Sequence, residues 1–340
     1  MMSREAFLLS LHPLRQFLKL HDASLEKAIQ DAHSKNPWFI PEFSQIAIHA
    51  IADLYLDVEK CRQWLTAYEF SSAKPKKVAI IMAGNVPLVG FHDLVCVLAS
   101  GHHALIKLSE KDAVLSKFIT DEWFKIEPSI ASRITYTEKL EDFDAVVATG
   151  SNNSSRYFEY YFRNLPHILR RNRNGVAVIN GNETDQELKD IAKDIFLYFG
   201  LGCRNISKIY VPSGYDFSGW AKAIEDWDYL KDHNKYRNNL DYNYAIYIIN
   251  QVAYINLGHL ILKEDDSIAS RIGCVHYNYY SDKSSLIGEI ESKRNEIQCI
   301  VSVDPIEGWD HIRPGQSQYP TLDQYADGVD TMRFLTSLID

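Results

Sequence analysis

The sequence predicts an α/β protein built around a doubly wound parallel sheet. From about residue 75 to about residue 180, short apolar runs alternate with segments whose apolar residues recur at helical spacing. The short runs are rich in β-branched residues, which is typical of strands buried on both faces of a parallel sheet. Beyond about residue 199, strand-like and helix-like segments are mixed, which predicts a second, smaller α/β domain.

The predicted elements follow in chain order. Residues 1–74 form a helical segment, because apolar residues recur at helical spacing in QIAIHAIADLYLDVEKCRQWLTAY. Predicted strands then alternate with predicted helices in the order KVAIIMAG, VPLVGFHDLVCVLASG, HALIKLS, EKDAVLSKFITDEWFK, SRITYTEK, FDAVVATG, SNNSSRYFEYYFRNL and GVAVING. One more helix, TDQELKDIAKDIFLYFG, begins with Thr184 and Glu187 at capping-box spacing. Two aromatic segments, NYAIYIIN and CVHYNYY, are predicted to be strands.

Composition and charge exclude several classes of function. The net charge of -9 argues against a nucleic-acid partner, because phosphate binding needs a basic surface. Five widely spaced cysteines without a CxxC predict neither a disulfide framework nor a zinc site, and the spacing of His92, His102 and His103 does not indicate a metal. No apolar run approaches the roughly 20 residues that span a bilayer. We expect a cytoplasmic protein without a membrane span.

Polar residues follow three of the predicted strands, where ligands bind to a parallel sheet. In MAGNVPLVG, Asn85 offers an amide donor, although Asn85 and Pro87 also suit a plain turn. Lys107 ends a strand and reaches either an anion or water. In ATGSNNSS, Gly150 and Ser151 precede a helix whose free N–H groups suit a phosphate, although serine is also an ordinary N-cap. The standard fingerprints GxGxxG and GxxxxGK[ST] are absent.

Cys203 is the candidate nucleophile. It follows a predicted helix and lies among small residues in GLGCRNIS, with Arg204 beside it. The alternative is an inert buried thiol, which is what we expect for Cys61, Cys96, Cys274 and Cys299. The basic cluster RRNRN (170–174) suits an anionic substrate, but a solvated loop explains it more simply.

Taken in order, Asn85, Lys107, the Gly150–Ser151 pair and Cys203 resemble the residues of the aldehyde dehydrogenase superfamily. Three segments resemble its acyl-CoA reductase branch, the LuxC-like fatty acyl-CoA reductases. They are AGNVPLVGFHDLVCVLASGHHALIKLSEKD, GLGCRNISKIYVP and YADGVDTMRFL. The resemblance covers about residues 75–340. It implies an aldehyde dehydrogenase-like fold with a nucleotide-binding domain (75–198), a catalytic domain (199–315) and a C-terminal segment (316–340).

The resemblance implies a reductase that converts an acyl-CoA, of long chain by analogy, to the aldehyde. Cys203 would form the acyl thioester, and Asn85 with the Cys203 backbone N–H would stabilise the oxyanion. Cofactor contacts would come from Pro87, Lys107, Glu110, Gly150 and Ser151. The resemblance implies NADPH, whereas a carboxylate at Glu110 suits the 2′-hydroxyl of NADH.

The chain departs from the superfamily at the glutamate that activates water. No carboxylate lies between Tyr160 and Asn182, which fits transfer of the acyl group to hydride instead of water. Two alternatives stay open: a CoA-acylating aldehyde or semialdehyde dehydrogenase, which runs the same chemistry backwards, and a cofactor-free acyl-cysteine transferase. Acyl chain length, a homo-oligomer and a protein that donates the acyl group also stay open.

Overall fold

The computed structural model describes residues 4–70, 74–150 and 152–338, with the backbone alone for 152–155. The chain divides into two compact units, one made of Met1–Asn172 with Pro320–Asp340 and the other of Arg173–Tyr319. Each unit is built on one sheet, of five strands in the first unit and seven strands in the second.

Four helices open the first unit, as the apolar spacing predicts. They are α1 (Arg4–Lys19), α2 (Ala23–Lys35), α3 (Pro41–Leu54) and α4 (Val58–Leu65). Asp22 and Asp57 begin α2 and α4, where each carboxylate accepts hydrogen bonds from two backbone N–H groups of the first turn. The apolar faces of these helices pack into one core cluster together with the five-stranded sheet.

The sheet of the first unit is parallel and doubly wound. Its strands are β1 (Lys77–Ile81), β2 (His103–Lys107), β3 (Ile134–Tyr136), β4 (Ala145–Thr149) and β5 (His167–Arg170). Their spatial order is β3-β2-β1-β4-β5, and every pair is parallel. The chain order reverses between β1 and β4, so the carboxyl edge of this pair is the switch point where such sheets bind ligands.

Helices cover both faces of this sheet. They are α5 (Phe91–Ala99), α6 (Ala113–Ile126), α7 (Pro128–Ala131) and α8 (Asn152–Phe162). Alternate residues of β1 enter different apolar clusters: Val78 packs in the cluster of the N-terminal helices, and Ala79 packs with Phe158 and Phe162 of α8. This alternation explains why β1 is apolar along its length.

The second unit contains a mixed sheet. Its strands are β6 (Asn174–Val178), β7 (Ile206–Pro212), β8 (Ile255–Asn256), β9 (Ile261–Glu264), β10 (Cys274–Tyr280), β11 (Ile297–Ser302) and β12 (His311–Ile312). Their order is β12-β11-β6-β7-β10-β9-β8, and only the β8–β9 pair is antiparallel. The helices are α9 (Asp185–Phe196), α10 (Trp220–Ala223), α11 (Asn234–Ile249) and α12 (Lys283–Ser292). The predicted capping box of Thr184 and Glu187 begins α9.

Two predictions about elements differ from the structure. The segment NYAIYIIN was expected to be a strand, but it lies in α11, where the buried residues Tyr236, Leu240 and Tyr247 recur at helical intervals. GVAVING forms the predicted strand, β6, but this strand is hydrogen-bonded between β7 and β11 in the second sheet. The two units therefore divide at Asn172 and not at the predicted residue 198.

The chain returns to the first unit at Pro320, and α13 (Thr331–Thr336) packs there on α5. The Arg170 guanidinium, at the end of β5, donates two hydrogen bonds to the Asp93 carboxylate and a third to Thr331 Oγ1 at 2.9 Å. Arg170 is buried, so it does not belong to the solvated loop that the RRNRN cluster suggested. The buried pair instead joins the last strand of the sheet to α5 and α13.

No helix in the described ranges is long and apolar enough to cross a membrane. Within the same ranges, no group of three or more His, Cys, Asp or Glu side chains is placed to hold a metal ion. His92 and His102 have structural partners: His92 Nε2 bonds the Leu322 carbonyl at 3.0 Å, and His102 Nε2 bonds the Leu335 carbonyl at 2.9 Å.

Candidate active site

The candidate region of the first unit is the carboxyl edge of the five-stranded sheet. Ile81 at the end of β1 is in register with Lys107 on one side and with Ala148 on the other. Lys107 is exposed, and Gly150 directly follows β4. The register therefore places these two predicted cofactor residues at the edge where β1, β2 and β4 all end. Ser151, predicted beside Gly150, lies outside the described residues.

The loop from β1 to α5 packs closely against the loop that follows β2. A Cβ atom on Gly84 would lie 2.5 Å from the Ser109 Oγ, so this position accepts only glycine unless Ser109 moves. Asn85, next along the chain, is exposed, whereas Pro87 is buried. The loop thus presents the Asn85 side chain and uses Pro87 as part of its packing.

One buried carboxylate holds this loop. Leu88 has a positive φ of 58°, and its N–H donates to Asp112 Oδ2 at 2.8 Å. Asp112 immediately precedes α6, and its Oδ2 also accepts a hydrogen bond from Ser116 Oγ of that helix at 3.3 Å. Burial raises the pKa of Asp112 well above its usual value. Sequence reasoning missed this residue because the predicted helix EKDAVLSKFITDEWFK began two residues before it, although aspartate is a frequent residue at a helix start.

Glu110 lies in the loop between β2 and α6 and is exposed. The backbone on either side of Glu110 is held by hydrogen bonds. The Ser109 carbonyl accepts from the Asp112 N–H at 3.1 Å, and the Lys111 carbonyl accepts from Asn36 Nδ2 at 3.3 Å. A carboxylate after the second strand of a doubly wound sheet is placed as in proteins that bind an adenosine ribose. The edge thus carries polar residues where doubly wound sheets bind their ligands.

The candidate region of the second unit is the segment that leads from α9 to β7. After α9, Tyr198 and Phe199 have φ angles of 56° and 57°, and Gly200 follows with 72°. Two consecutive residues other than glycine in this conformation are strained, and such strain persists only where surrounding contacts hold it. Both side chains are buried, and Phe199 packs 4.4 Å from the His233 ring, centroid to centroid. The chain is therefore held tightly just before Cys203.

Cys203 occupies a tight turn, 202–205, in which the Asn205 N–H donates to the Gly202 carbonyl at 3.1 Å. The following backbone packs against β6: a Cβ atom on Gly175 would lie 2.7 Å from the Arg204 carbonyl oxygen. Gly175 N–H donates to the Asn205 carbonyl at 3.0 Å, which fixes the turn to the sheet. The strained approach, the turn and the sheet contact together present one side chain at a defined position.

Exposure distinguishes Cys203 from the other cysteines. It is partly exposed, whereas the others are buried free thiols, as expected from the sequence. Burial raises the pKa of Cys61 and Cys299 to about 12, that of Cys274 to about 11 and that of Cys96 well above its usual value. Thiols with such pKa values are poor nucleophiles at neutral pH. Cys203 is the best candidate for covalent chemistry among the described residues.

Two buried polar residues around this turn were missed by sequence reasoning. Asn205 is two residues after Cys203, and asparagine is a frequent turn residue, so a local signal existed. Asp194 in α9 accepts from Gly315 N–H at 2.7 Å, Ser317 N–H at 3.0 Å and Ser317 Oγ at 2.8 Å. Its partners lie more than a hundred residues away, so no local pattern could have indicated them.

The C-terminal segment YADGVDTMRFL, which contributes to the resemblance, belongs to the first unit. The backbone N–H of Arg171 donates to Asp327 Oδ2 at 3.3 Å, and Asp330 begins α13 by accepting from the Arg333 N–H at 2.8 Å. Tyr325 accepts a hydrogen bond from Trp64 Nε1 at 2.8 Å. YADGVDTMRFL therefore closes the packing around the five-stranded sheet.

Known proteins support this organisation. The model of the acyl-CoA reductase (LuxC) family matches residues 56–218. That range contains the five-stranded sheet, the loop of Asn85, the Cys203 turn and β7. No curated protein matches the chain.

Solved structures share the fold at low sequence identity. An oxidoreductase from Marinobacter aquaeolei is similar with a TM-score of 0.65 and 10% identity, over 94% of this chain and 78% of its own. The indole-3-acetaldehyde dehydrogenase of P. syringae gives a TM-score of 0.65 and 12% identity, over 88% of this chain and 72% of its own. An NAD-dependent benzaldehyde dehydrogenase from Corynebacterium glutamicum gives a TM-score of 0.65 and 12% identity, over 88% of this chain and 76% of its own.

These comparisons confirm the predicted aldehyde dehydrogenase-like fold and the resemblance to acyl-CoA reductases. Residues 56–218 match the model of the acyl-CoA reductase (LuxC) family and the chain has an aldehyde dehydrogenase-like fold, which supports an oxidoreductase that acts on aldehyde or acyl groups.

Proposed function

We propose that the protein reduces an acyl-CoA thioester to the aldehyde, with a nicotinamide cofactor as reductant and Cys203 as the covalent nucleophile. The observation that carries the proposal is the Cys203 turn. It presents the one partly exposed thiol of the described residues, within a segment that matches the acyl-CoA reductase family. The overall reaction converts acyl-CoA, NAD(P)H and a proton into aldehyde, NAD(P)⁺ and free coenzyme A.

Acyl transfer to the enzyme is the first chemical step. The Cys203 thiolate attacks the thioester carbon, a new C–S bond forms, and the bond to the coenzyme A sulfur breaks. Coenzyme A leaves as a thiolate and takes up a proton. The tetrahedral oxyanion would accept hydrogen bonds from the Asn85 side chain and the Cys203 backbone N–H, an effect of about 3 kcal/mol per donor. The exposure of Asn85 supports this role.

Reduction needs a hydride, which a bound reduced nicotinamide would supply to the carbonyl carbon of the acyl-cysteine. The residues of this chain that would hold the cofactor are Pro87, Lys107, Glu110, Gly150 and Ser151. Lys107 and Glu110 are exposed beside the switch point, as contacts to an adenosine ribose require. Cys203 would then leave the resulting hemithioacetal as a thiolate, which releases the aldehyde.

Two features bear on whether the acyl group is reduced or hydrolysed and on whether the cofactor is NADPH or NADH. The absence of a carboxylate between Tyr160 and Asn182 leaves this stretch without the glutamate that activates water in the superfamily, which supports reduction over hydrolysis. The exposed carboxylate of Glu110 would repel a 2′-phosphate and accept a bond from a 2′-hydroxyl. We propose NADPH from the family resemblance, with NADH as the alternative that Glu110 favours.

A coupled rate measurement tests the proposal. Wild type, Cys203→Ala and Cys274→Ala are each mixed with a long-chain acyl-CoA and either NADPH or NADH, and both cofactor oxidation and aldehyde are measured. Wild type should oxidise one cofactor per aldehyde, and Cys203→Ala should lose at least about 10³-fold in rate. Cys274→Ala is the matched control, because Cys274 is a buried thiol of the same unit.

Two results would contradict the proposal. Full activity in Cys203→Ala would remove the nucleophile from the reaction. Release of coenzyme A without oxidation of either cofactor would identify an acyl-cysteine transferase. The rate in the opposite direction, from aldehyde, coenzyme A and oxidised cofactor, measures how far the enzyme also works as an acylating dehydrogenase.

A further inference from the structure

The buried side chain of Asn205 closes the Cys203 turn. Asn205 is 1% exposed, and its Oδ1 accepts the Gly202 N–H at 2.7 Å. Its backbone N–H also bonds the Gly202 carbonyl, so side chain and main chain of Asn205 close the same turn from both ends. These contacts fix the residue that immediately precedes Cys203.

The amide nitrogen of Asn205 has a different task. Nδ2 donates to three carbonyl oxygens at the end of α9, those of Asp194 at 2.9 Å, Ile195 at 3.3 Å and Leu197 at 2.8 Å. The last carbonyls of a helix lack partners within it and form the negative end of its dipole. Asn205 therefore satisfies the groups of α9 that would otherwise face the turn as an unpaired negative end.

We propose that Asn205 is the positioning residue of the nucleophile: its side chain joins the Cys203 turn to the carbonyl end of α9 and neutralises that end. The inference rests on the proposed role of Cys203. Two consequences follow from the contacts. Loss of the Oδ1 acceptor releases Gly202, and loss of the Nδ2 donors leaves a partial negative charge against the turn that carries Cys203, which reacts as an anion.

The network extends beyond the turn through Asp194. The carbonyl of Asp194 accepts from Asn205, while its side-chain carboxylate binds Gly315 and Ser317. Asn205 is thus held from α9 and from the distant segment that binds α9. Because Asp194 is itself fixed by Gly315 and Ser317, the end of α9 cannot easily move to compensate for a substitution at residue 205.

The test measures the reactivity of the thiol without any acyl substrate. The rate of alkylation of Cys203 by iodoacetamide, assigned by peptide mapping, is followed against pH in wild type and Asn205→Ala. The pH at which the rate reaches half its maximum should rise by about half a unit to one unit. Below both midpoints the reaction of the variant should be about threefold to tenfold slower.

Asn243→Ala is the matched control. Asn243 lies in α11 of the same unit and is 2% exposed. Its Nδ2 donates to the Ile272 carbonyl at 2.8 Å. Its loss should lower the melting temperature in the same way as Asn205→Ala but leave the pH profile of Cys203 unchanged. Asn205→Ser, which keeps a small hydrogen-bonding group, should give an intermediate shift and serves if the alanine variant does not fold.

An unchanged pH profile in folded Asn205→Ala or Asn205→Ser would overturn the inference, as would an equal shift in Asn243→Ala. The result is independent of the proposed reaction. A wild type that fails to reduce acyl-CoA would refute the reductase, whereas the alkylation profiles would still decide the role of Asn205.

Discussion

Two buried carboxylates, Asp93 in the first unit and Asp194 in the second, are held in different ways. In the first unit, the Asp93 carboxylate is paired with the Arg170 guanidinium, and both are buried. In the second unit, Asp194 is fully buried, but the groups that donate to it are two backbone N–H groups and one hydroxyl, which are neutral. Burial therefore raises the pKa of Asp194 to about 6.

The difference teaches where the molecule should respond to pH. A buried carboxylate held by neutral donors, such as Asp194, takes up a proton near its raised pKa. Asp194 is also the residue whose carbonyl supports Asn205 and hence the Cys203 turn. Asp194 is thus a titrating buried carboxylate within the unit that carries the proposed nucleophile.

Breaking the compensated pair should have the largest effect on stability. Asp93→Ala leaves the buried Arg170 without its carboxylate, which should lower the free energy of unfolding by about 3–5 kcal/mol, measured by urea unfolding. Arg171→Ala is the control, because its ion pair with Glu159 is exposed and should contribute only a small fraction of that. If both variants lowered the free energy of unfolding equally, the buried ion pair of Arg170 would contribute no more to stability than the exposed ion pair of Arg171.

The uncompensated carboxylate should give a smaller effect that depends on pH. Because the pKa of Asp194 is raised, the folded state keeps a proton between about pH 4 and 6 that the unfolded state has already released. The contribution of Asp194 to stability is therefore complete below about pH 4 and falls as the pH rises to 6, by about 2–3 kcal/mol. The measurement is the difference in unfolding free energy between wild type and Asp194→Asn at each pH.

Asp185, on the same helix, provides a control of opposite sign. A hydrogen bond from Lys222 lowers the pKa of Asp185 below its usual value. Its contribution should be present above about pH 4 and should be lost as the pH falls further. A difference for Asp194→Asn that rises with pH, or one that stays flat, would contradict the account of this buried carboxylate.

The first unit was the more predictable from sequence. Its strands are short, apolar and separated by helices, so local composition alone located β1, β2 and β4 and placed Asn85 and Lys107 at strand ends. The order β3-β2-β1-β4-β5 follows because connections of this kind are right-handed and leave a switch point. Each signal here is contained within about ten residues.

The second unit was less predictable because its organisation depends on distant partners. GVAVING has the composition of any buried strand, and only its pairing with β7 and β11 assigns β6 to the second sheet. NYAIYIIN is rich in aromatic and β-branched residues, which favour strands, but tertiary packing of Tyr236, Leu240 and Tyr247 makes the segment helical. Cys203 was found through the ordered resemblance, whereas the contacts of Asn205 and Asp194 needed the structure.

The most direct test of the central claim is the mass of the intact protein after mixing with a long-chain acyl-CoA. Without cofactor, wild type should gain the mass of one acyl group and Cys203→Ala should gain none. Addition of NADPH or NADH should then remove the added mass and release the aldehyde. Absence of the adduct on folded wild type at every chain length, or the same adduct on Cys203→Ala, would contradict the assignment of Cys203 as the nucleophile.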